Sequence, residues 1–202
     1  MKTIIGLTGN IASGKSAVAE ILRKKGIWVV DADQVAREIV RKGSPVLQEI
    51  EVTFGESVLL PDGSLNRNAL ADLVFSDESK LEQLNRITHP PIRKVIQDTI
   101  RTFKGQTQAD LLVIEAPLLY ETGLNQMVDQ VWFVDSTEDL RMERLMSRNG
   151  LTQTEALQRI GAQQPAESKI HRADVVISNN EDLDSLAGKV DEILQSLKNL
   201  TT

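Results

Sequence analysis

The stretch Ile-Ile-Gly-Leu-Thr-Gly-Asn-Ile-Ala-Ser-Gly-Lys-Ser, residues 4–16, decides the fold of this 202-residue chain. An apolar run from Thr3 to Leu7 predicts a buried strand, and the loop after it fits the phosphate-binding pattern G-x-x-x-x-G-K-[ST] without a mismatch. Apolar residues at helical spacing then continue to Gly26. Because the motif requires a strand before the loop and a helix after it, the stretch predicts a nucleotide-phosphate site. An ordinary glycine-rich turn is the alternative.

Each fixed position of the pattern has a physical role. The glycines Gly9 and Gly14 let the backbone bring its N–H groups close to phosphate oxygens, and the positive end of the following helix lies at the same place. Lys15 supplies a positive charge for the β- and γ-phosphates, and the Ser16 hydroxyl can ligate Mg²⁺. The residues predicted to bind ATP in this loop are Gly9, Asn10, Ile11, Ala12, Ser13, Gly14, Lys15, Ser16 and Ala17.

Composition excludes several classes of protein. Apolar residues make up 41% of the chain, but no apolar run approaches the ~20 residues that span a membrane, and the N-terminus lacks the pattern of a secretory signal. Cysteine is absent, which excludes disulfides and thiolate metal sites. The net charge of −6 and the 3% aromatic content argue against nucleic-acid binding. We expect a soluble, cytoplasmic protein with no nucleic-acid or membrane partner.

The rest of the chain alternates between strands and helices. Ile27 to Val30 predicts a second strand and completes a strand–helix–strand unit, which implies a parallel sheet. Further strands are predicted at Leu111–Ile114, Gln130–Val134 and Asp174–Ile177, and helices at Leu140–Ser147, Thr152–Ile160 and Leu183–Leu197. Residues 35–108 show helical patterns separated by turn-rich segments and no convincing strand. The helical pattern Glu78–Phe103 has a predicted break at Thr88–Pro91. The order predicts an α/β fold with a doubly wound, parallel, five-stranded sheet, whose ligands bind at the carboxyl ends of the strands.

Acidic residues follow three of the predicted strands. Asp31 and Asp33 come after the second strand, where a carboxylate can accept the proton of a hydroxyl that attacks a γ-phosphate, and Asp33 is the candidate base. Asp31 could instead cap the next helix. Glu115 ends the third strand and is a candidate metal ligand. Asp135, after the fourth strand, competes for the same role. The alternative for Glu115 is a solvated acid at the end of a strand.

Basic residues form a second group of candidates. Arg141, Arg144 and Arg148 share one helix face, and an Arg fork can bind two phosphate oxygens; we favour Arg144 and Arg148 over Arg141. A solvated basic face paired with nearby glutamates is the alternative. His89, directly before Pro90-Pro91, is interpreted as a structural hydrogen-bonding residue.

With these residues in view, the chain resembles the dephospho-coenzyme A kinases over nearly its whole length. The similar landmarks are the opening loop, Asp31-Ala32-Asp33-Gln34-Val35-Ala36-Arg37, His89-Pro90, Pro117-Leu118-Leu119-Tyr120-Glu121, Arg144 with Arg148, residues 159–163 and residues 173–179. The resemblance implies a P-loop kinase that uses ATP and Mg²⁺ to phosphorylate the ribose 3′-hydroxyl of dephospho-coenzyme A, the last step of coenzyme A synthesis. It implies a nucleotide-binding core at 1–31, 109–137 and 171–202, a helical substrate domain at 32–108 and a helical lid at 138–170.

The resemblance also implies roles for individual residues. Asp33 becomes the base toward the 3′-hydroxyl, Arg144 and Arg148 join Lys15 as catalytic contacts to the phosphates, and Asn179 approaches the adenine of ATP. The residues implied to bind the acceptor are Thr8, Asp33, Arg37, His89 and Leu118. Ser16 would hold the Mg²⁺ through its hydroxyl, and Glu115 is the candidate for a second ligand. We expect a monomer or a weak homo-oligomer.

Departures from the family pattern are few. Asn10 and Ala12 stand where many members have Gly, Ala17 stands where Thr is frequent, and Tyr120 replaces a more usual Phe or Val. Ala12 is therefore expected to adopt a φ angle that alanine tolerates. Two other functions compete with the implied one: another small-metabolite or nucleoside kinase, and a nucleotide-dependent switch or assembly protein.

Overall fold

The chain divides into two compact units, Met1–Val30 with Phe103–Thr202, and Asp31–Thr102. The computed structural model describes residues 2–105, 108–163 and 166–200, and the side chains of Glu167 and Leu200 are left undescribed. Parts of the predicted core, substrate domain and lid, namely residues 1, 106–107, 164–165, 201 and 202, lie outside the described residues. The assignment of 32–108 to substrate binding and of 138–170 to a lid stays a prediction.

A five-stranded parallel sheet forms the first unit, in the order β2-β3-β1-β4-β5. The strands are β1 (Thr3–Gly9), β2 (Trp28–Asp31), β3 (Leu111–Glu115), β4 (Gln130–Asp135) and β5 (Val175–Ser178). Ile5 of β1 is aligned with Val113 of β3 on one side and with Gln130 of β4 on the other. The predicted doubly wound sheet is confirmed. Because β1 is central, the loop that follows it lies at the middle of the carboxyl edge.

Helices connect the strands and make up most of the second unit. They are α1 (Lys15–Lys24), α2 (Ala32–Ile39), α3 (Pro45–Phe54), α4 (Arg67–Phe75), α5 (Glu78–Gly105), α6 (Glu138–Asn149), α7 (Gln153–Gly161), α8 (Ala166–Ile170) and α9 (Leu183–Leu200). Thr152 caps the start of α7, since its hydroxyl accepts the Glu155 N–H in a capping box. In the described part of the chain, no helix is long and apolar enough to cross a membrane.

Apolar strand residues explain the core of the first unit. Ile5 and Leu7 of β1, Val113 of β3 and Trp132 of β4 are fully buried, as expected for a parallel sheet covered by helices on both faces. Two carboxylates bind backbone N–H groups near the amino ends of β1 and β4. Asp129 accepts the Ile4 N–H at 2.7 Å, and Asp174 accepts the Val131 N–H at 2.7 Å.

The second unit has its own apolar cluster, formed by α2 to α5 and a short connecting segment. Its buried members are Val40, Ile50, Val58, Leu70, Val74 and Ile87. Side-chain caps begin three of its helices: Asp31 for α2, Ser44 for α3 and Asn66 for α4. Each cap satisfies backbone N–H groups that have no intrahelical acceptor.

The predicted break at Thr88–Pro91 is wrong, because α5 is one helix that contains Pro90 and Pro91. Each proline removes one intrahelical hydrogen bond and costs about 3 kcal/mol in a helix interior. Burial of Ile87, Ile92 and Ile96 on the same helix offsets this cost, at about 1.5–3 kcal/mol for each buried side chain. Tertiary packing therefore overrides the local signal of the prolines.

Candidate active site

Neighbouring atoms leave no room for a side chain at either fixed glycine of the phosphate loop. A Cβ atom on Gly9 would lie 2.6 Å from the Ser13 Oγ and 2.6 Å from the Val134 carbonyl oxygen. Gly14 caps the N-terminus of α1 at φ +96°, and a Cβ there would lie 1.9 Å from the Asn179 Nδ2. The loop therefore needs Gly at both fixed positions, and α1 begins directly at Lys15.

Ala12 is strained, contrary to expectation. It adopts φ +59°, and it is the one non-glycine residue with positive φ among the described residues. The left-handed conformation brings Cβ close to the next carbonyl oxygen and costs about 1–2 kcal/mol in a residue other than Gly. The expectation that Ala12 adopts a φ that alanine tolerates is wrong, because contacts from outside the loop hold the turn in this conformation.

A buried carboxylate lies at the start of α1. Glu115, 2% exposed at the end of β3, accepts hydrogen bonds from the Lys15 Nζ at 2.8 Å and from the Ser16 Oγ at 3.0 Å. The guanidinium of Arg23, two turns further along α1, reaches its other oxygen at 3.1 Å. The sheet thus places an acid from β3 against two fixed residues of the loop, which rules out the solvated alternative for Glu115, while its role as a metal ligand stays a prediction.

Electrostatics keep Glu115 ionised. Burial alone would raise its pKa, but the hydrogen bonds from Lys15, Ser16 and Arg23 and the charge of Lys15 lower the pKa below its ordinary value. Two hard oxygen donors, the Ser16 hydroxyl and the Glu115 carboxylate, therefore converge within 3.0 Å of each other. This donor set fits Mg²⁺, which uses one or two protein oxygens and takes its other ligands from water and phosphate.

Arg144 of α6 binds the phosphate loop from outside. Its Nη1 donates to the carbonyl oxygens of Ala12 and Ser13, each at 3.3 Å, and its Nη2 donates to the Asn179 carbonyl oxygen at 2.9 Å. The Asn179 side chain donates to the same Ser13 carbonyl at 2.8 Å. Arg144 and Asn179 are thus both at the loop, where they hold its backbone, and their roles at the phosphates and near the adenine stay predictions.

A third residue from outside the loop, Gln163, also holds the phosphate loop. The Gln163 Oε1, just beyond α7, accepts the Ile11 N–H at 2.7 Å, while Ile11 and Ala12 pack against an apolar cluster of α6 and α7 that includes Leu145. Such support is needed because the side chains of Asn10 and Ser13 each bury an oxygen without a hydrogen-bond partner in the described structure. The loop keeps an unfavourable conformation because its surroundings fix it.

The three arginines of α6 differ in their surroundings. Arg141 is buried and its Nε has no partner among the described residues, Arg144 is bound to the loop, and Arg148 is exposed with a hydrogen bond to neighbouring Asn149. Of the predicted pair, the structure brings Arg144 to the loop and leaves Arg148 at the end of α6. A phosphate contact by Arg148 stays a prediction.

The remaining predicted residues lie in both units. In the first, Thr8 is buried and donates to the Pro117 carbonyl at 3.3 Å, and Leu118 is 54% exposed. In the second, Asp31 accepts the backbone N–H groups of residues 33 and 34, so its capping alternative is the one observed. Asp33 itself is exposed in the first turn of α2.

Two exposed or half-exposed residues complete the predicted acceptor contacts. Arg37 is exposed on α2, and His89 is partly buried on α5. Burial lowers the pKa of His89 below its ordinary value, and the charge of Arg93 lowers it further. At neutral pH the imidazole is therefore uncharged, as suits a hydrogen-bonding residue.

Sequence reasoning missed Arg23 and the positioning role of Gln163. Arg23 lies seven and eight residues after Ser16 and Lys15, which is two helical turns, so the same face of α1 could have identified it. Gln163 belongs to the landmark 159–163, but no local pattern links it with Ile11, which precedes it by 152 residues.

This fold and this loop define the protein as a nucleotide-binding protein of the phosphate-loop class. The family profile for dephospho-CoA kinase matches residues 3–185. The chain is 50% identical to a dephospho-CoA kinase of Shouchella clausii, over 87% of this chain and 89% of the relative. It is 43% identical to one of Carboxydothermus hydrogenoformans, over 96% and 94% of the two chains.

A solved structure agrees with the sequence relatives. The dephospho-CoA kinase of Campylobacter jejuni superposes with a TM-score of 0.76 at 26% identity and covers 100% of both chains. The chain belongs to the dephospho-CoA kinase family.

Proposed function

We propose that this protein transfers the γ-phosphoryl group of ATP to the 3′-hydroxyl of the ribose in dephospho-coenzyme A, giving coenzyme A and ADP. The observation that carries the proposal is the cluster of Lys15, Ser16 and Glu115 at the start of α1, in a chain that belongs to this family. The geometry supports a phosphate site, and family membership supports the acceptor.

The loop residues bind and orient the phosphates of ATP. The first helical hydrogen bond of α1 runs from the Ala17 N–H to the Gly14 carbonyl, so the N–H groups before it have no intrahelical acceptor and face an anion with the positive end of the helix. Lys15 exchanges its bond with Glu115 for phosphate oxygens, and the backbone of residues 9–17 encloses them. Arg144 supports this geometry by holding the Ala12 and Ser13 carbonyls.

Ser16 and Glu115 would hold Mg²⁺, which neutralises charge on the phosphates when bound. Removal of the metal should therefore abolish turnover while the protein stays folded.

Asp33 acts as the base that accepts the proton of the attacking hydroxyl. Its support is its position in the chain, two residues after β2, in a kind of sheet whose ligands bind beyond the carboxyl ends of the strands, and its exposure in the first turn of α2. Arg148 contributes a further phosphate contact, and Asn179 lies near the adenine. Thr8, Arg37, His89 and Leu118 contact the acceptor.

The competing kinase function differs only in the acceptor, so an acceptor panel tests the proposal. Purified protein with MgATP should release ADP with dephospho-coenzyme A and not with adenosine or pantetheine 4′-phosphate. Turnover with another acceptor would replace the substrate assignment. ATP binding without acceptor-dependent turnover would favour the switch or assembly function.

We also propose a cytoplasmic location and a monomeric or weakly oligomeric state, supported by composition alone. Gel filtration with light scattering measures the second of these directly.

A further inference from the structure

Helix α5 carries a basic groove within the second unit. The groove measures about 590 Å³, and every residue that lines it comes from residues 85–97 of α5. It contains the cations Arg86, Arg93 and Lys94 together with His89, Pro90 and two amide side chains, and no carboxylate. This concentration of positive charge is unusual in a chain that carries a net charge of −6.

Ion pairing separates two of these cations from the others on the same helix. Lys80, Arg86 and Arg101 each have an acidic partner three or four residues earlier in the chain. Arg93 and Lys94, which are adjacent in sequence, have no carboxylate partner among the described residues. Two neighbouring positive charges without a counter-charge repel each other, and a bound anion would remove that cost.

The neighbours in the groove favour an anion as well. Arg93 is partly buried and lies close enough to His89 to lower its pKa, so the imidazole is a neutral hydrogen-bonding group at pH 7. A guanidinium fork, an ammonium and an imidazole together form a donor set that matches the oxygens of two linked phosphates.

We propose that this groove binds the diphosphate of the acceptor, with Arg93 and Lys94 as its principal contacts. The inference rests on the proposed function. Dephospho-coenzyme A carries one negative charge on each phosphate of its diphosphate bridge, which matches the two unpaired cations. The phosphates of ATP already have the loop N–H groups and Lys15. The groove thus distinguishes acceptors that contain a diphosphate from simple nucleosides.

A charge-matched pair of double variants tests the proposal. Arg93→Gln with Lys94→Gln removes both groove cations, and Lys80→Gln with Arg101→Gln removes the same two residue types from the same helix outside the groove. The groove variant should raise KM for dephospho-coenzyme A at least about 10-fold, the scale of one charge-assisted hydrogen bond, with kcat and KM for MgATP unchanged. The control variant should match the parent protein in all three constants.

Two kinetic results would overturn the inference. An unchanged KM for dephospho-coenzyme A in the groove variant would exclude the groove as an acceptor site. An equal rise in KM for MgATP would assign the groove to the nucleotide phosphates instead.

A binding experiment separates this inference from the proposed function. Protein saturated with the Mg²⁺ complex of a non-hydrolysable ATP analogue is titrated with inorganic pyrophosphate in a calorimeter. The parent and the control variant should bind pyrophosphate, and the groove variant should bind it at least about 10-fold more weakly. Equal binding by all three would refute the groove even if dephospho-coenzyme A is phosphorylated. A parent protein without turnover refutes the proposed function, and the titration still decides whether the groove is an anion site.

Discussion

Replacing Glu115 by Gln should destabilise the protein and change how it binds nucleotide. The carboxylate is 2% exposed and accepts hydrogen bonds from Lys15, Ser16 and Arg23. Removing one partner of a buried ion pair costs about 3–5 kcal/mol. The amide oxygen of Gln can still accept one of these bonds, and Arg23 is partly exposed, so we expect a loss of about 3 kcal/mol.

The expected loss is measurable by thermal unfolding. In a protein of this length, 1 kcal/mol corresponds to about 2–4 °C, so the Glu115→Gln variant should melt about 6–12 °C below the parent protein without nucleotide.

The pH dependence gives the same residue a second readout. The pKa of Glu115 is lower in the folded protein than in the unfolded chain, so the unfolded chain binds its proton first as the pH falls. The stability that Glu115 contributes is complete above its ordinary pKa of about 4.5 and is lost as the pH falls through its folded value. The parent protein should therefore lose more stability on acidification than the Gln variant does.

Nucleotide binding should change in opposite directions with and without metal. Lys15 has to leave Glu115 to bind phosphate, so removing the carboxylate should strengthen binding of metal-free ADP, by about 10-fold for each 1.4 kcal/mol recovered. The same change removes an expected Mg²⁺ ligand, so the gain that Mg²⁺ gives to ATP binding should shrink. Calorimetric titrations with and without Mg²⁺ measure both effects.

Glu121→Gln is the matched control for this experiment. Glu121 accepts a hydrogen bond at 2.8 Å from the buried Lys169, so its loss also breaks an ion pair with a buried lysine in the same unit. It should lower the melting temperature and leave the affinity for nucleotide unchanged. A Glu115→Gln variant with the melting temperature and the metal-free ADP affinity of the parent would refute the Lys15–Glu115 pairing.

Three further substitutions test other parts of the account. Asp33→Asn should lower kcat at least about 100-fold with ATP affinity unchanged, and near-normal turnover of this variant would exclude Asp33 as the base. The control is Asp31→Asn, which removes a charge two residues away but can still cap α2, and it should leave kcat near that of the parent. Arg144→Met should lower the free energy of unfolding by about 2–3 kcal/mol because it leaves the loop carbonyls without their donor. Arg148→Met should lower kcat without changing the free energy of unfolding. Equal stability of the two variants in urea would contradict the role of Arg144 in holding the loop. Ala12→Gly should raise the free energy of unfolding by up to about 1 kcal/mol, since Gly adopts φ +59° without strain, and a lower urea midpoint would contradict the strain at Ala12.

The sequence predicted the sheet and the loop because both are encoded locally. The fixed residues of the phosphate motif specify their own backbone geometry, and the apolar runs of β1 and β3 are long enough to identify buried strands. Glu115 could be placed because the carboxyl ends of parallel strands meet at one edge. Its position at the end of β3 therefore made it a candidate, although the sequence left Asp135 and a solvated strand end as alternatives.

The features that sequence reasoning missed depend on distant parts of the chain. The strain at Ala12 depends on contacts from Arg144 and Gln163, which follow it by more than 130 residues. The continuity of α5 through Pro90 and Pro91 depends on buried isoleucines, and their burial is a tertiary property that no local pattern reports. The groove cations Arg93 and Lys94 gave no signal because lysine and arginine on a helix are usually solvated.

Phosphorylation of the 3′-hydroxyl of dephospho-coenzyme A is the activity proposed for this chain. The most direct measurement is the mass of the product, and the position of its new phosphate by ³¹P NMR, after incubation of the protein with MgATP and dephospho-coenzyme A. We expect a product heavier by one phosphoryl group, attached at the 3′ position of the ribose, with one ADP released for each product formed. An unchanged acceptor, or a phosphate at another position, would contradict it.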